Sequence, residues 1–458
     1  MWRTPLLLPL TTPRWEVRFH ARPIIGSVTD LATRVAPPRV TPLRRAAPSL
    51  LGYAAVRALG LLVLVAWSAA RGKSAYTLLT ARWDALWYTR VAELGYGYEV
   101  RLPNGDVHSN LAFFPLLPWL ERLLHALTPL SYADAGFVVS LLASLAAAWG
   151  IFAVADHCHG QKEEGAERGL GRVVAGDGRA GVCAVLLWAV LPVGVVQSMA
   201  YSESLFTALA AWSLYAVLTG RWVTAGALAA LAGLTRPVGL AVVAAVWAAG
   251  VVSFVRDRSA AAAHGARGGE HAPDATWGAP VTPHSPRPTT GASVRSRALG
   301  MLLAPLGAAA YVLWVGHRTG KGPLGYLDVQ AGWRNGFDGG YAFACFVADK
   351  FTSFPSALAG AGLIIGVGLV VWLYLIGVRQ RQPLPLLVYT GVVVALALCA
   401  SSYFGSKPRL LLPAFPLLLP LATALARSRT SRSALVTGLL AVAAAVYGAF
   451  WLNGSGPP

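Results

Sequence analysis

The sequence predicts an all-α protein, a polytopic transmembrane helical bundle with about eleven spans. Of its 458 residues, 55% are hydrophobic and only 13% are charged, whereas soluble domains carry about 25% charged residues. Apolar runs of about 20 residues, the length that crosses a bilayer as a helix, also recur along most of the chain. The predicted spans lie at 50–70, 136–156, 180–200, 203–219, 222–235, 238–255, 298–316, 356–378, 384–401, 410–426 and 434–452.

The segment before the first span, residues 1–49, is rich in Arg and Pro. Its apolar stretch at 6–10 is short and broken by Pro9, so it does not fit a signal peptide. We expect a largely disordered basic tail on the cytosolic side that touches anionic lipid. The remainder, residues 50–454, is predicted to form a single transmembrane domain.

Residues 72–135 form the first long segment between spans, and we place them outside the cytosol. Within this segment the apolar stretch 110–128 contains two prolines and three ionisable side chains. We expect an amphipathic helix on the outer interface, anchored by Trp119, Phe113 and Phe114. Counting this stretch as a span would invert every segment that follows it.

The distribution of basic residues supports this topology, because positive charge concentrates on the cytosolic side of membrane proteins. The Arg379–Gln380–Arg381 turn and the segment 256–297 then both fall on that side. Residues 256–297 have little aliphatic bulk, so we predict a disordered loop. The net charge of +18 is thus explained by membrane topology, and we expect binding to membrane lipids but not to nucleic acid.

Unusual polar elements fall on the opposite, non-cytosolic face at the ends of predicted spans. A charged side chain next to hydrocarbon is costly unless it is paired or solvated, so such residues are functional candidates. The elements are Arg82–Trp83–Asp84, Glu99, Tyr201–Ser202–Glu203–Ser204, Thr235–Arg236–Pro237, Gln330 with Trp333–Arg334, and Ser406–Lys407–Pro408–Arg409.

Asp84 is the leading catalytic candidate, because it lies between Trp83 and Trp87. A carboxylate among aromatic rings is partly desolvated, which suits a general base. The alternative is a helix N-cap, in which Asp84 accepts backbone N–H bonds at the start of a helix over 85–94. The residue pattern alone does not distinguish the two.

Three cationic side chains, Arg236, Lys407 and Arg409, are candidates for binding a phosphate group. Arginine offers a planar fork of donors and lysine adds a point charge. The alternative for Lys407 and Arg409 is that they extend to the membrane interface as flanking charges. Glu203 either positions an acceptor hydroxyl or forms a buried ion pair with Arg236.

Other side chains suit contact with a sugar or with the hydroxyl that accepts it, although aromatic belts at membrane interfaces have the same composition. We assign this positioning role to Glu99, Glu203, Tyr88, Trp83, Gln330 and Trp333. The sequence has no P-loop, no Gly-x-Gly-x-x-Gly before a strand and no Asp-x-Asp of metal-dependent nucleotide-sugar enzymes. We therefore expect neither a metal nor a cofactor.

The motifs of the first outer segment resemble the first non-cytosolic loop of the GPI mannosyltransferase II (PIG-V) family. In that family a Trp-Asp pair, a Gly-Tyr…Glu element and an Ala-Phe-x-Pro-Leu-x-Pro element follow one another. Here they read Trp83–Asp84, Gly95–Tyr96–Gly97–Tyr98–Glu99 and Ala112–Phe113–Phe114–Pro115–Leu116–Leu117–Pro118. The Tyr-Ser-Glu, Thr-Arg-Pro and Lys-Pro-Arg elements named above also resemble elements of PIG-V-like sequences.

The resemblance implies an inverting membrane glycosyltransferase of the GT-C type that transfers a hexose from a polyprenyl-phosphate donor, with mannose as the first candidate. Asp84 is then the catalytic base, and Arg236 with Lys407 or Arg409 holds the departing lipid phosphate. The acceptor is a lipid or a glycan on the non-cytosolic face. The Ala-, Arg- and Pro-rich composition is typical of high-GC bacteria, so we expect a bacterial plasma membrane.

Two other classes of function remain open. A transporter or flippase of a lipid-linked sugar tends to show internal pseudo-symmetry and charges at the bilayer midplane, and neither is evident in the sequence. A lipid-binding scaffold with inert polar residues is the third possibility.

Overall fold

The computed structural model describes residues 41–167, 178–267, 293–401 and 403–454. Its helices are α1 (Pro42–Ala70), α2 (Ala75–Thr80), α3 (Asp84–Leu94), α4 (Leu116–Leu127), α5 (Tyr132–Glu167), α6 (Arg179–Ala189), α7 (Ser202–Leu218), α8 (Trp222–Gly233), α9 (Leu240–Arg267), α10 (Val294–Leu303), α11 (Leu306–Thr319), α12 (Gly325–Gly332), α13 (Tyr341–Asp349), α14 (Ser356–Arg379), α15 (Leu384–Cys399), α16 (Lys407–Leu410), α17 (Leu419–Arg427) and α18 (Thr430–Leu452). Strands β1 (Glu99–Arg101) and β2 (Val107–Ser109) form one antiparallel pair, and β3 (Gly336–Phe337) and β4 (Ala400–Ser401) form another.

The described helices confirm an all-α polytopic membrane bundle. Six of them, counting α10 with α11 as one, are long and apolar enough to cross a membrane. Two further candidates are broken: Arg179–Ala189 with Pro192–Ser198 bends by 90°, and Phe404–Leu410 with Phe415–Arg427 bends by 72°. Three shorter apolar helices are α7, α8 and α15. Each predicted span falls on one of these elements, while the count of about eleven spans stays a prediction.

The helices extend further into the polar segments than we predicted. Helix α1 begins at Pro42 rather than at 50, and residues 1–40 of the predicted tail lie outside the described residues. Helix α9 continues to Arg267 and α10 begins at Val294. Of the loop predicted at 256–297, only 268–292 lies outside the described residues.

Helix propensity and one ion pair explain these longer helices. Ala260–Ala263 is a run of the best helix-forming residue, which carries α9 past its apolar stretch. The guanidinium of buried Arg297 then lies 2.7 Å from the Asp257 carboxylate, which ties the ends of α9 and α10 together.

The segment predicted to lie outside the cytosol, residues 72–135, folds into α2, α3, the β1–β2 hairpin and α4. The predicted amphipathic helix is present as α4, with Trp119 exposed. The prediction that Phe114 anchors the interface is wrong, because its ring is buried against Tyr311 and Tyr326. Helices α11 and α12 cover this segment and supply those rings, a long-range contact that local sequence does not reveal.

Helix α7 runs through the middle of the hydrophobic core and is almost wholly buried. Close approaches at small residues hold the surrounding helices together. A Cβ atom on Gly226 of α8 would collide with the Gly300 backbone of α10, and one on Gly300 would collide with the Trp222 backbone of α8. The burial of α7 carries the polar residues at its N-terminus, Ser202 and Glu203, into the interior of the protein.

Candidate active site

Four separate elements bring charged side chains together at one place. Asp84 is the first residue of α3, and Glu203 lies in the first turn of α7, where the partial positive charge of a helix N-terminus favours an acid. Arg236 precedes the Pro237–Gly239 turn that leads into α9, and Arg409 lies in the short helix α16. All four residues were among the candidates named from the sequence.

The four charged groups form a continuous network. A terminal nitrogen of Arg409 lies 2.8 Å from Asp84 Oδ2, and its Nε lies 3.3 Å from Glu203 Oε1. The same Glu203 oxygen lies 2.5 Å from Arg236 Nη1. The pairing of Glu203 with Arg236, one of the two roles considered for this carboxylate, is therefore present. We call these four residues the charged cluster; their formal charges cancel.

Neutral polar and aromatic groups surround the charged cluster. Arg236 Nη1 donates to the Ser202 hydroxyl oxygen at 3.3 Å, and that hydroxyl lies 2.7 Å from the hydroxyl of Tyr88. The Arg409 guanidinium lies over the Tyr201 ring, 5.1 Å from its centroid. The Tyr201 and Ser202 roles were not assigned from the sequence, although both belong to the Tyr-Ser-Glu element that drew attention to Glu203.

Access to the charged cluster is uneven. The Glu203 and Arg409 side chains are 1% and 9% exposed, whereas that of Asp84 is 26% exposed. Burial is the largest single influence on the pKa of Arg236 and lowers it, but its charged and hydrogen-bonding neighbours, Glu203 first, together raise that pKa above its ordinary value. Burial also raises the pKa of Tyr88, so its hydroxyl stays protonated. Asp84 is thus the member of the cluster that a substrate reaches most readily.

The backbone just before Asp84 is strained. Trp83 has a φ angle of 53°, which is unfavourable for a residue with a side chain. Such outliers concentrate at functional sites. Trp83, not Asp84, occupies the N-cap position of α3, so the alternative interpretation of Asp84 as a helix cap is wrong. The Trp83 ring lies beneath the guanidinium of Arg82, at 4.4 Å.

Glu99, Gln330 and Trp333 do not touch the charged cluster. Glu99 is exposed on β1 of the hairpin. Gln330 donates to the Tyr326 hydroxyl at 2.5 Å and accepts from Asn335 Nδ2 at 3.0 Å, so it ties α12 to its own C-terminal turn. Trp333 donates from its ring nitrogen to the Ser109 carbonyl at 3.0 Å.

Trp333 instead belongs to an aromatic wall that leads to the charged cluster. Its ring centroid lies 4.9 Å from that of Trp87 and 5.5 Å from that of Phe113. The Phe113 ring centroid lies 5.2 Å from that of Tyr88, and the Tyr88 hydroxyl lies 2.7 Å from that of Ser202. Trp87 was noted for its position beside Asp84, and the structure now places it in this wall.

Lys407 and Arg409 face different surroundings although both were predicted to bind phosphate. Residues two apart in an α-helix point about 200° away from each other. Arg409 enters the charged cluster, while Lys407 Nζ donates to the carbonyls of Ala397 at 2.8 Å and Ala400 at 2.7 Å. Lys407 therefore caps the C-terminal end of α15, a position that favours a cation.

On the Lys407 side of α16 lies a groove of about 700 Å³, within the size range of ligand sites in proteins. Its walls come from α13, α14, α16, α18 and the Pro192–Ser198 turn, and they are mostly aliphatic and aromatic. The groove also contains Lys350, which was not singled out from the sequence. Within the described ranges, no group of three or more His, Cys, Asp or Glu side chains is arranged to hold a metal ion.

Comparisons with known proteins agree with the motif analysis. The family model of the mannosyltransferase (PIG-V) family matches residues 66–257. No curated protein matches the chain. Two solved structures of ArnT from Cupriavidus metallidurans are similar to it. The apo form is 16% identical with a TM-score of 0.42, covering 77% of this chain and 56% of ArnT. The form bound to undecaprenyl phosphate is 15% identical with a TM-score of 0.43, covering 84% and 63%.

The chain thus spans less than two thirds of the ArnT chains it resembles. The family match includes Asp84, Glu203 and Arg236 and ends before Lys407 and Arg409. Because the matched family is one of mannosyltransferases, the match supports the prediction that the protein is a glycosyltransferase. The resemblance that the motifs predicted is confirmed: residues 66–257 of this membrane protein match the PIG-V mannosyltransferase family.

Proposed function

We propose that the protein is an inverting membrane glycosyltransferase of the GT-C type that transfers a hexose, with mannose as the first candidate. The donor is a polyprenyl-phosphate sugar, and the acceptor is a lipid or glycan hydroxyl on the non-cytosolic face. The observation that carries the proposal is the charged cluster, in which the accessible Asp84 pairs with Arg409 and Glu203 links Arg409 to Arg236. The family match over 66–257 supports the reaction class.

In the proposed reaction, Asp84 acts as general base. Its carboxylate takes the proton of the acceptor hydroxyl as the acceptor oxygen forms a bond to the anomeric carbon of the sugar. The bond between that carbon and the phosphate oxygen breaks, and its electron pair leaves with the lipid phosphate. Attack opposite the leaving group inverts the anomeric configuration. Arg409 holds one Asp84 oxygen, which fixes the orientation of the base.

The two arginines supply the positive charge that the leaving phosphate needs. A guanidinium carries five N–H donors, and the ion pairs to Asp84 and Glu203 leave several of those on Arg409 and Arg236 for phosphate oxygens. Donors fixed in a site of low dielectric stabilise developing negative charge more strongly than water does. Glu203 keeps both guanidinium groups in place before the donor arrives.

The aromatic wall suits the remaining part of the substrate. Sugar rings stack against aromatic faces, and the Trp87, Trp333 and Phe113 rings are half-buried and lead toward Tyr88 and the charged cluster. We propose that Trp87, Trp333 and Phe113 flank the acceptor sugar or hydroxyl, with Gln330 fixing the position of α12 behind them.

The proposal is tested with the purified protein reconstituted in liposomes. Radiolabelled polyprenyl-phosphate mannose is supplied with total bacterial membrane lipids, and parallel reactions contain glucose, galactose or arabinose donors. We expect one labelled sugar to move to an acceptor with release of the polyprenyl phosphate. Movement of the intact donor between leaflets without a glycosylated product would identify a flippase. Binding of the donor with neither sugar transfer nor movement between leaflets would identify a lipid-binding scaffold. Either result would contradict the proposal.

The proposed sidedness is tested separately by labelling single cysteines with a membrane-impermeant reagent in intact cells. Cysteines introduced near positions 84 and 406 should react from outside. A cysteine near position 270 should react only after the cells are opened. The opposite pattern would contradict an active site on the non-cytosolic face.

A further inference from the structure

The groove on the Lys407 side of α16 has two chemically different parts. One wall contains Val195 and Trp451 together with the α14 residues Leu363, Val367 and Val370, so it presents hydrocarbon. The α13 side contains two ammonium groups. Lys407 lies 4.8 Å from the centroid of the Phe343 ring, and Lys350 lies 4.5 Å from that of Phe346. The groove therefore matches a molecule with a long hydrocarbon part and an anionic group.

The two ammonium groups at this groove form no direct ion pair with an acid of the described residues, although the charge of Asp338 acts on Lys407 from a longer distance. Among the described residues, no carboxylate lies within ion-pair distance of Lys350 or Lys407, whereas Arg236 and Arg409 both have acidic partners. Lys407 shares its ammonium with backbone carbonyls, which carry no net charge. A phosphate at this end of the groove would meet two ammonium groups that no direct ion pair neutralises, which supports an anionic lipid over a neutral one.

Two glycines of α14 determine how wide the apolar part is. Gly362 and Gly366 line the groove and are four residues apart, so they lie on the same helix face. A Cβ atom at either position would have no protein atom within 4 Å. Larger side chains there would extend into the groove without displacing another part of the protein.

We propose that this groove binds the isoprenoid chain of the lipid phosphate donor, and that Gly362 and Gly366 determine which chains fit. The inference rests on the proposed function for the identity of the donor. Helix α16 links the two sites, because Lys407 faces the groove and Arg409 faces Asp84. An isoprenoid chain in the groove would place the donor phosphate beside α16, between the groove at Lys407 and the charged cluster at Arg409.

Leucine substitutions test this inference with a control on the same helix. Gly362→Leu and Gly366→Leu fill the groove, while Gly368→Leu adds the same side chain at a position that is also open but does not line the groove. Each variant is assayed with mannosyl phosphates carrying a short geranyl chain and a long undecaprenyl chain. We expect the ratio of kcat/KM for long over short chain to fall about tenfold in the two groove variants, the loss expected when about two methylene groups leave the groove.

The control should keep the wild-type ratio. A ratio that is unchanged in Gly362→Leu and Gly366→Leu, or that falls equally in Gly368→Leu, would overturn the inference. The activity on the short-chain donor reports that each variant is folded.

A binding measurement separates this inference from the proposed function. Undecaprenyl phosphate and the uncharged undecaprenol, neither of which carries a sugar, are titrated against the purified wild-type and variant proteins. We expect the phosphate to bind more tightly than the alcohol, and the groove variants to lose binding relative to Gly368→Leu. This pattern with no transfer of any sugar would contradict the proposed function alone, whereas transfer with equal binding by all variants would contradict the groove alone.

Discussion

The carboxylate of Asp84 and the guanidinium of Arg409 lie 2.8 Å apart, although the two residues come from opposite parts of the chain. Asp84 lies within the segment that matches the PIG-V family, and Arg409 lies beyond it. The short helix α16 thus completes a site that the matched segment begins. Glu203 then connects Arg409 to Arg236, so each member of the charged cluster depends on another for its position.

The buried Glu203 should be the main support of the charged cluster. Its carboxylate lies between two guanidinium groups and is 1% exposed. Replacing it in Glu203→Gln leaves two buried cations without their shared counter-ion. We expect a loss of about 3–5 kcal/mol in the free energy of unfolding, measured by denaturant titration in mixed micelles.

The double variant Glu203→Gln/Arg236→Gln removes one of those cations as well. We expect it to be less destabilised than the sum of the two single variants, with a coupling free energy of about 1–3 kcal/mol. Strictly additive losses would show that the ion pair seen in the structure does not contribute to stability.

Glu121 should make the stability depend on pH. It is fully buried in α4, and no other described residue hydrogen-bonds to its carboxyl oxygens. Burial raises the pKa of this carboxyl well above its ordinary value of 4.5. The folded protein therefore keeps a proton that the unfolded chain releases, so stability falls as the pH rises from the ordinary pKa to the raised one.

In that pH window the free energy of unfolding should decrease by up to about 1.4 kcal/mol per pH unit from this group. Glu121→Gln keeps the shape of the side chain and has no proton to lose, so it should flatten the dependence. Thermal unfolding of both proteins across the pH range provides the measurement. Parallel curves for the two proteins would argue against a neutral Glu121.

The aromatic wall should affect substrate binding more than folding. Trp333→Leu removes the contacts to Trp87 and Phe113 and the hydrogen bond to Ser109. We expect KM for the acceptor or donor to rise about three- to tenfold, since aromatic contacts of this kind are worth about 0.5–1.5 kcal/mol.

The matched control is Trp119→Leu, because Trp119 is exposed on α4. We expect this replacement to leave KM unchanged. If Trp333→Leu lowers only the thermal midpoint and leaves KM at the wild-type value, the wall has a structural role alone.

The sequence predicted the positions of the spans and the members of the charged cluster for the same physical reason. A charged side chain in hydrocarbon is costly, so a long run without charges predicts a membrane-spanning helix. For the same reason an acidic residue beside such a run, such as Asp84 or Glu203, is a functional candidate. Lys407 was identified on this basis too, but its role as a cap on α15 was not. The direction of its side chain depends on where the four-residue helix α16 begins, and only the assembled structure shows that.

Burial by distant elements also escaped prediction. Phe114 was expected at the membrane interface, but Tyr311 and Tyr326 cover it. Glu121 is surrounded in sequence by residues typical of a half-exposed helix, yet Gly136 of α5 lets it pack inside. Glu99 belongs to a motif that resembled the family and lies on an exposed hairpin, because a motif gives the order of residues and not their distance from the charged cluster.

The most direct test compares Asp84→Asn with Glu99→Gln in the reconstituted transfer assay. Both changes remove one carboxylate charge from the segment 72–135, but only Asp84 belongs to the charged cluster. Because a general base contributes about 10²–10⁴-fold to a rate, kcat for Asp84→Asn should fall by that factor while Glu99→Gln stays near wild type. Retained turnover in Asp84→Asn, with the protein correctly inserted in the membrane, would contradict the proposed catalytic role of Asp84.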